Sequence, residues 1–410
     1  MMKFRRFHII FLLLLIAACS ESKFENEAEL YSLTVQINYP GHYSIAHAEA
    51  VEVSLAHLTN SLKSILPTDT EGKVTFENVP PGEYKLTAVI QFPATEAREM
   101  GDTLVTDLDI SEGKMVNLSV TLNNILIGED KAIEGLVLKP SLPGELLIKE
   151  VFYTGTTTPN HKSYYSDHFI ELFNNTSNTI FLDGLHIATV YGANGNVATS
   201  PTIFQSDEEH VYLDFVWSVP GQGESNFILP GENFIVAQDG MRHKSDPNGN
   251  SNSIDLDFAD YETFMNRDIQ KDIDFAEVPN MDEVFASRPN THDFILHSYG
   301  PGVVIFQVED PALAEYVPVP NSTKGYMLMK IPNDWVLDAF EALAYSYRGD
   351  YKRIPTSLDA GFAFCNGIFN GESCRRKIER EVDGRIILQD TNNSGEDFEI
   401  IPYPTPGTFK

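Results

Sequence analysis

Apolar and polar positions alternate along the chain in short runs. Between Leu30 and about Asn124, "YSLTVQINY" and "AVEVSLAHL" repeat at period two, "KVTFENVPPGEYKLTAVI" supplies two more runs around Pro80-Pro81-Gly82, and "GKMVNLSVTLNNI" adds a last one. Period two puts successive side chains on opposite faces of a pleated strand, and the prolines and glycines between the runs exclude a helical reading of this block. From Leu146 the pattern resumes in "LIKEVFYTG", "DHFIELFNN" and "ILPGENFIVAQDG", and again in "GPGVVIFQV" and "GYMLMKIPNDWVLDAFEAL". The chain therefore reads as all-β, with one strand-rich module over 30–125, a linker over 126–145 and a second module over 146–410. A polar insertion from about 241 to 292 interrupts the second. With 410 residues there is chain enough for a core in each.

The run "DHFIELFNN", residues 167–175, crowds an aspartate, a histidine and a glutamate into five positions, the residue types of a metal or acid–base site. Residues three apart in a strand point to opposite faces, so His168 and Glu171 cannot ligate one ion there, as the helical zinc motif can. Phe169, Glu171 and Phe173 share one face; His168, Ile170 and Leu172 share the other. Both faces are largely apolar, the pattern of a central strand covered on two sides. Glu171 is then a buried carboxylate that needs hydrogen-bond donors.

The N-terminus changes the picture of where the protein works. Lys3, Arg5 and Arg6 precede an apolar run from Ile9 to Ala18, too short for a stable membrane-spanning helix and of signal-peptide length, so 1–18 reads as an export signal. Ile16-Ala17-Ala18-Cys19 resembles the lipobox of bacterial lipoproteins, which implies that Cys19 is diacylated and becomes the mature N-terminus. The acidic tether 19–29 resembles the signal that sends Bacteroidota lipoproteins to the outer face of the outer membrane. In an exported chain, the remaining Cys365 and Cys374 are expected to close a small disulfide loop, which contributes on the order of 2 to 3 kcal/mol in the chain-entropy picture. Fifty-nine acidic residues against 29 basic ones leave a net charge of -30. Such a body is a poor partner for nucleic acid and a mild attractor of cations.

Two further resemblances organise the modules. "TDTEGKVTFENVPPGEYKLTA" is similar to the central hairpin of the carboxypeptidase-regulatory and transthyretin-like sandwiches. The likeness implies a tight turn at Asp69 to Gly72, a core position for Phe76 and a return through Pro81-Gly82 and Tyr84. That family supplies scaffolds and contacts and has no catalytic residues of its own. Phe169 to Asn174, Leu182 to Leu185 and Leu229 to Glu232 resemble, in order, three motifs of the immunoglobulin-like lamin-tail sandwich, with Leu185 where that family usually has tryptophan. "CRRKIEREVDGRIILQDTNNSGEDFEIIPYPTPGTFK" resembles its closing pattern of arginines, a D-T-x-N turn, Asp397-Phe398 and a terminal T-P-G. Together these features resemble an uncharacterised family of Bacteroidota lipoproteins, domain of unknown function 4876. Members often lie beside genes for TonB-dependent outer-membrane transporters.

Candidate chemistry is sparse. Asp246, Asn248, Asn250 and Asp257 are oxygen donors spaced as in an imagined calcium loop, but Gly249 falls at the fourth position instead of the sixth, and the competing reading is a polar loop of Asx-turns. Asp390, Asn392 and Ser394 tempt in the same way, yet Ile401 stands where the last ligand belongs. The eleven histidines, His243 among them, are not paired at metal-ligand spacing. Tyr153, Tyr164, Tyr165 and Tyr191 fall near strand ends or in loops, where sandwiches carry binding surfaces, and they and His243 are candidates for a ligand or partner surface. No nucleophile elbow, phosphate loop, zinc helix or kinase motif is present, so no catalytic residue is assigned. The expectation is a non-enzymatic lipoprotein on the outer-membrane surface, a binding or accessory subunit for nutrient or metal uptake with a TonB-dependent transporter. A surface adhesin is the alternative; calcium is the one cofactor in view.

Overall fold

The computed structural model describes residues 29–57, 62–106, 110, 114–141, 144–192, 207–268, 272–294, 296–308, 310–320, 322–382 and 384–408. The export signal, Cys19 and the tether before Glu29 lie outside the described residues. The first sandwich contains β1 (Tyr31–Asn38), β2 (Glu52–His57), β3 (Lys63–Pro67), β4 (Lys73–Val79), β5 (Gly82–Pro93), α1 (Ala94–Met100), β6 (Met115–Ile127), β7 (Lys131–Val137) and β8 (Lys139–Ser141). A three-stranded sheet in the order β4-β1-β7 lies against a five-stranded sheet in the order β3-β2-β5-β6-β8. Alternation fixes which side chains meet between them: Leu33, Val35 and Ile37 of β1 share one core with Val53, Leu55, Leu86, Ala88, Val116 and Leu118. The Asp69 turn closes through Gly72 N to Asp69 O at 2.9 Å, with Gly72 at φ +72°. Phe76 is buried, and the Tyr84 hydroxyl donates to Pro80 O at 2.8 Å.

Two expectations for this half are corrected. The block contains a helix, α1, set between Pro93 and Gly101, the latter at φ +109° as a left-handed C-terminal cap. Pro ahead of a helix and Gly just past it, flanking "ATEAREM", are the local signal that the strand reading passed over. Nor is 126–145 a linker. β7 runs parallel to β1 and β8 runs antiparallel to β6, so the segment completes both sheets. Its one-sided contacts leave a weak alternation in the sequence, since only Ile133 and Leu136 of β7 pack on the core.

The second module contains β9 (Leu146–Phe152), β10 (Thr156–Thr157), β11 (Ser163–Tyr164), β12 (Phe169–Asn174), β13 (Ile180–Phe181), β14 (Leu185–Val190), β15 (His210–Ser218), β16 (Phe227–Ile228), β17 (Asn233–Ala237) and β18 (Tyr261–Glu262). It continues with β19 (Asp282–Ala286), β20 (Gly302–Gln307), β21 (Glu315–Pro318), β22 (Met327–Pro332), β23 (Val336–Glu341), β24 (Ser373–Arg376), β25 (Ile378–Val382), β26 (Arg385–Leu388), the single turn α2 (Ser394–Asp397) and β27 (Phe398–Ile401). A six-stranded sheet, β18-β17-β12-β9-β24-β27, faces a larger one, β21-β22-β15-β14-β20-β23, in which β19 also pairs with β15. The chain is thus all-β, built as two sandwiches.

β12 is central and buried throughout, so its two faces serve two cores. Ile170 and Leu172 join the core between the sheets, with Trp217, Ile305 and Phe340. Phe169 packs outward with Phe152, Ile235 and three residues of the insertion, Leu256, Ala259 and Val278. The insertion is therefore largely a cover for the outer face of the six-stranded sheet. Glu171 finds its donors in Lys149 Nζ at 3.0 Å and in Gly407 N at 2.7 Å near the C-terminus.

Arg376, also fully buried, donates to Asp338 at 2.7 Å, Asp390 at 3.1 Å and the carbonyl of Ile148 at 2.8 Å, with its guanidinium 4.7 Å over the Phe398 ring. The two sandwiches meet through buried polar groups. Lys85 Nζ donates to Ala360 O, Asn117 Nδ2 donates to Asp390 O at 2.8 Å, and Gly144 N donates to Asp390 Oδ2 at 2.6 Å.

Candidate functional site

The densest chemistry in the second module gathers where the insertion leaves and rejoins the sandwich. β17 ends at Ala237 and delivers Gln238, whose backbone N–H donates to His168 O at 2.8 Å, and then Asp239. β18, inside the insertion, runs parallel to the end of β17 and sets Glu262 beside Ala237. Gly240 leaves room for a later part of the insertion: a Cβ there would stand 2.6 Å from the Val278 side chain. Asp272 comes from the middle of the insertion, with its carboxylate accepting from Met265 N at 2.8 Å and Ile273 N at 2.9 Å. Asp293 comes from its end, just before Phe294, which anchors against Trp217 at 5.7 Å between ring centroids.

These three carboxylates converge. Asp239, Asp272 and Asp293 each offer an oxygen within 4.8 Å of the others, and among the described residues no other group of three His, Cys, Asp or Glu side chains does so. The Asp293 carboxylate accepts from Gln238 Nε2 at 3.1 and 3.2 Å, while Gln238 Oε1, on a side chain only 3 % exposed, has no partner among the described residues. Arg267 lies near enough to act on Asp272, but its guanidinium is held by Glu283 at 2.6 and 2.8 Å. Neither Asp239 nor Asp293 has an ion pair with a described lysine or arginine.

Burial and like charge together push these acids up. Desolvation, and then the charges of Asp239 and Asp272, raise Asp293 to about 8. Desolvation, and then Asp272 and Asp167, raise Asp239 to about 7. Asp272 rises to about 6, again by desolvation, with Arg267 pulling against it. Desolvation also takes neighbouring Glu262 to about 8, although its oxygens accept from Gly240 N at 2.7 Å and Phe275 N at 2.8 Å. Carboxylates this close cannot all ionise without a positive partner.

Behind the cluster lies a cavity of about 10 Å³, lined by His168, Ile170, Trp217, Gln238, Thr263 and Phe294 among others. That is room for a single water. Both His168 nitrogens, Trp217 Nε1 and Gln238 Oε1 have no hydrogen-bond partner among the described residues. Burial, with His297 nearby, lowers His168 to about 3 and keeps the ring neutral.

The residues singled out by sequence fall elsewhere. Tyr153 is a core residue whose hydroxyl accepts from Cys365 N at 3.1 Å, and His243, inside the insertion, is fully buried, so neither side chain lies on a surface. His243 Nε2 faces Asp239 O at 3.1 Å and must donate there, so Nδ1 accepts from the Tyr164 hydroxyl at 2.6 Å. Tyr164 is thereby half-buried, as is Tyr191, while Tyr165 is 41 % exposed. In the imagined calcium loop, Asp246 accepts from Asn248 N at 2.7 Å, Asn250 is buried with its amide donating to Thr156 Oγ1 at 2.7 Å, and Asp257 pairs with Arg242 at 2.6 Å. The Asp246, Asn250 and Asp257 side chains there serve hydrogen bonds or an ion pair within the protein. Cys365 and Cys374 are buried thiols with sulfurs 3.7 Å apart.

A second feature is an open groove of about 580 Å³ bordered by Asp183, Gly184, Gly221, Gln222, Gly223, Gln307, Val308 and Leu337. Asp183 holds the groove's neighbouring loop, accepting from Ser225 N at 2.9 Å and Asn226 N at 2.8 Å. Beside it the β13–β16 ribbon exposes Phe181 and Phe227, whose rings meet edge to face at 6.4 Å.

The family described as Protein of unknown function (DUF4876) matches residues 229–405, a span that contains the insertion and all three clustered aspartates. A crystal structure of a DUF4876 family protein from Bacteroides thetaiotaomicron is similar at 23 % identity over 90 % of this chain and 94 % of that one, with a TM-score of 0.55. The likeness is one of fold. A streptococcal ancillary pilin (10 % identity, 63 % of this chain, 62 % of that one, TM-score 0.16) and a candidate adhesin from Bacteroides ovatus (9 %, 51 %, 74 %, 0.17) superpose too loosely to bear on it. No curated protein matches the chain.

Proposed function

We propose that the chain is a lipid-anchored protein of the outer-membrane surface that binds without catalysing, as an accessory subunit beside a TonB-dependent transporter in nutrient or metal uptake. In this reading Cys19 carries the lipid, the first sandwich, with its transthyretin-like hairpin, spaces the second from the membrane, and the lamin-tail-like second sandwich makes the contact. The observation that carries it is the open groove with the exposed Phe181–Phe227 pair at its side. Paired exposed aromatics beside a concave surface suit contact with another body, since exposed apolar area is costly unless it is used. The perturbed carboxylates, by contrast, do not line that groove; Asp239, Asp272 and Glu262 are buried and Asp293 is half-buried. The buried Cys365–Cys374 pair suits a disulfide in this exterior setting, which would appear as a mass lower by two hydrogens in the unreduced protein.

The test is purification of the C-terminally tagged protein from native outer membranes. Recovery of a stoichiometric barrel, lost in a Phe181→Ser/Phe227→Ser variant that still folds, is the expected result. Recovery of the lipoprotein alone, in detergents that preserve barrel complexes, would overturn the subunit role and favour adhesion.

A further inference from the structure

We propose that Lys149 and Asn233 become joined by an intramolecular isopeptide bond, formed without external catalyst or cofactor when the Lys149 amine reacts with the Asn233 carboxamide beside Glu171. The proposal does not depend on the surface role. Three neighbouring strands bring the groups together: Lys149 from β9, Glu171 from the central β12 and Asn233 from the start of β17. Asn233 pairs with Phe173, so it shares the outward face of β12 with Glu171 two residues away. The β9–β12 register slips between Glu171 and Leu172, whose partners are Glu150 and Ile148, and Lys149 is the residue left over. Such a bulge re-aims a side chain. Here it sets the Lys149 amine 3.0 Å from Glu171 Oε1 and 2.8 Å from Asn233 Oδ1.

The amide carbon lies one C=O bond, about 1.23 Å, beyond Oδ1, so nucleophile and carbon are within about 4 Å, close to the roughly 3 to 3.5 Å of a near-attack arrangement. Lys149 and Glu171 are fully buried. Desolvation lowers Lys149 and raises Glu171 to about 7, so the pair leans toward a neutral amine beside a protonated acid. A desolvated lysine is an activated nucleophile. An ion pair kept for its own sake needs its remaining lone pairs satisfied, yet Glu171 Oε2 is buried with no hydrogen-bond partner among the described residues. Asn233 is only half-buried, which leaves a way out for a small leaving group. Glu171 takes one proton from the Lys149 ammonium, and the freed amine adds to Asn233 Cγ. As the Cγ–Nδ2 bond breaks, Glu171 passes that proton to Nδ2 and takes another from Nζ. Ammonia leaves, a secondary amide remains, and nothing is oxidised or reduced. The bond ties β9 to β17 across β12.

The competing account is a buried salt bridge with an added hydrogen bond and no reaction. Peptide mass spectrometry of the full folded chain, after reduction and digestion, separates the two. The expected product is a branched peptide that joins the Lys149 and Asn233 segments and is lighter than their sum by one ammonia. Asn233→Ala, which leaves the Lys149–Glu171 pair in place, is expected to lose it. Glu171→Gln, which keeps side-chain shape but cannot take the proton, is expected to slow its formation in pulse-labelled chains by about a hundredfold or more. Circular dichroism checks that each variant folds. On a reducing, denaturing gel the wild type, with its loop held closed, is expected to run ahead of Asn233→Ala. Recovery of the two segments as separate, unmodified peptides from the folded wild type would overturn the proposal, whatever the variants do. A link that forms at the wild-type rate in folded Glu171→Gln would overturn the part given to Glu171.

Discussion

At the scale of single residues, Arg376 shows how a buried charge is kept. It lies among Asp338, Asp390 and Asp397, with Ile148 O and the Phe398 ring completing its surroundings. Removing the cation strands carboxylates with no water to turn to. Arg376→Met is therefore expected to lower the unfolding free energy by about 3 to 5 kcal/mol. Arg376→Lys should recover only part of this, because an ammonium lacks the planar fork that serves several acceptors. Urea unfolding midpoints check both, and a loss under about 1 kcal/mol for the methionine variant would contradict the account. The arginine pair, the Asp390 turn and Asp397-Phe398 are legible in the sequence as one closing pattern. That Asp338 joins them from β23 is not, since nothing in "VLDAFEAL" distinguishes an inward carboxylate from a solvated one. The same limit hides Asp239, Asp272 and Asp293. They share no spacing, and chain topology alone unites them, whereas Asp246 to Asp257 have suggestive spacing and serve local turns.

At the scale of elements, the insertion is a cover held by its acids as well as by Leu256, Ala259 and Val278. Its pH behaviour follows. Asp239, Asp293 and Glu262 face Asp167, Asp272 and Asp274, with Arg267 the positive group acting on Asp272, and all three are raised above their unfolded values. A raised acid favours the protonated folded state, so its stabilising effect is full below the unfolded value near pH 4 and fades as pH climbs through the folded value. Stability is expected to fall between about pH 4 and pH 8, and Asp239→Asn/Asp293→Asn should flatten that slope. Guanidinium midpoints across the range measure it, and a wild-type slope equal to that of the variant would rule the cluster out as its source. Strand alternation makes most of the sheet elements legible, β12 above all. α1 and β7 escape it because one is a short amphipathic turn among strands and the other is an edge with few inward residues.

At the scale of the whole molecule, Lys85, Asn117 and Gly144 join the sandwiches into one body. Asn117 is buried, and Asn117→Ala would leave the Asp390 carbonyl unpaired, a cost of about 1 to 3 kcal/mol. Calorimetry should then resolve two transitions where the wild type gives one; a single, merely shifted transition would show that the sandwiches stay coupled by other means. Two modules are legible from the break in patterning, but their docking is not, because the residues that dock are polar and widely separated. The placement of β1 has a mechanical consequence. It is the first strand of the described residues, yet it is the middle strand of its sheet, flanked by antiparallel β4 and parallel β7. In the lipid-anchored reading proposed above, tension on the N-terminal end would pull β1 lengthwise between two neighbours, so both ladders would have to slip at once and could not unzip bond by bond. A pull on that end would thus load the domain in shear, the direction in which a strand resists extraction most.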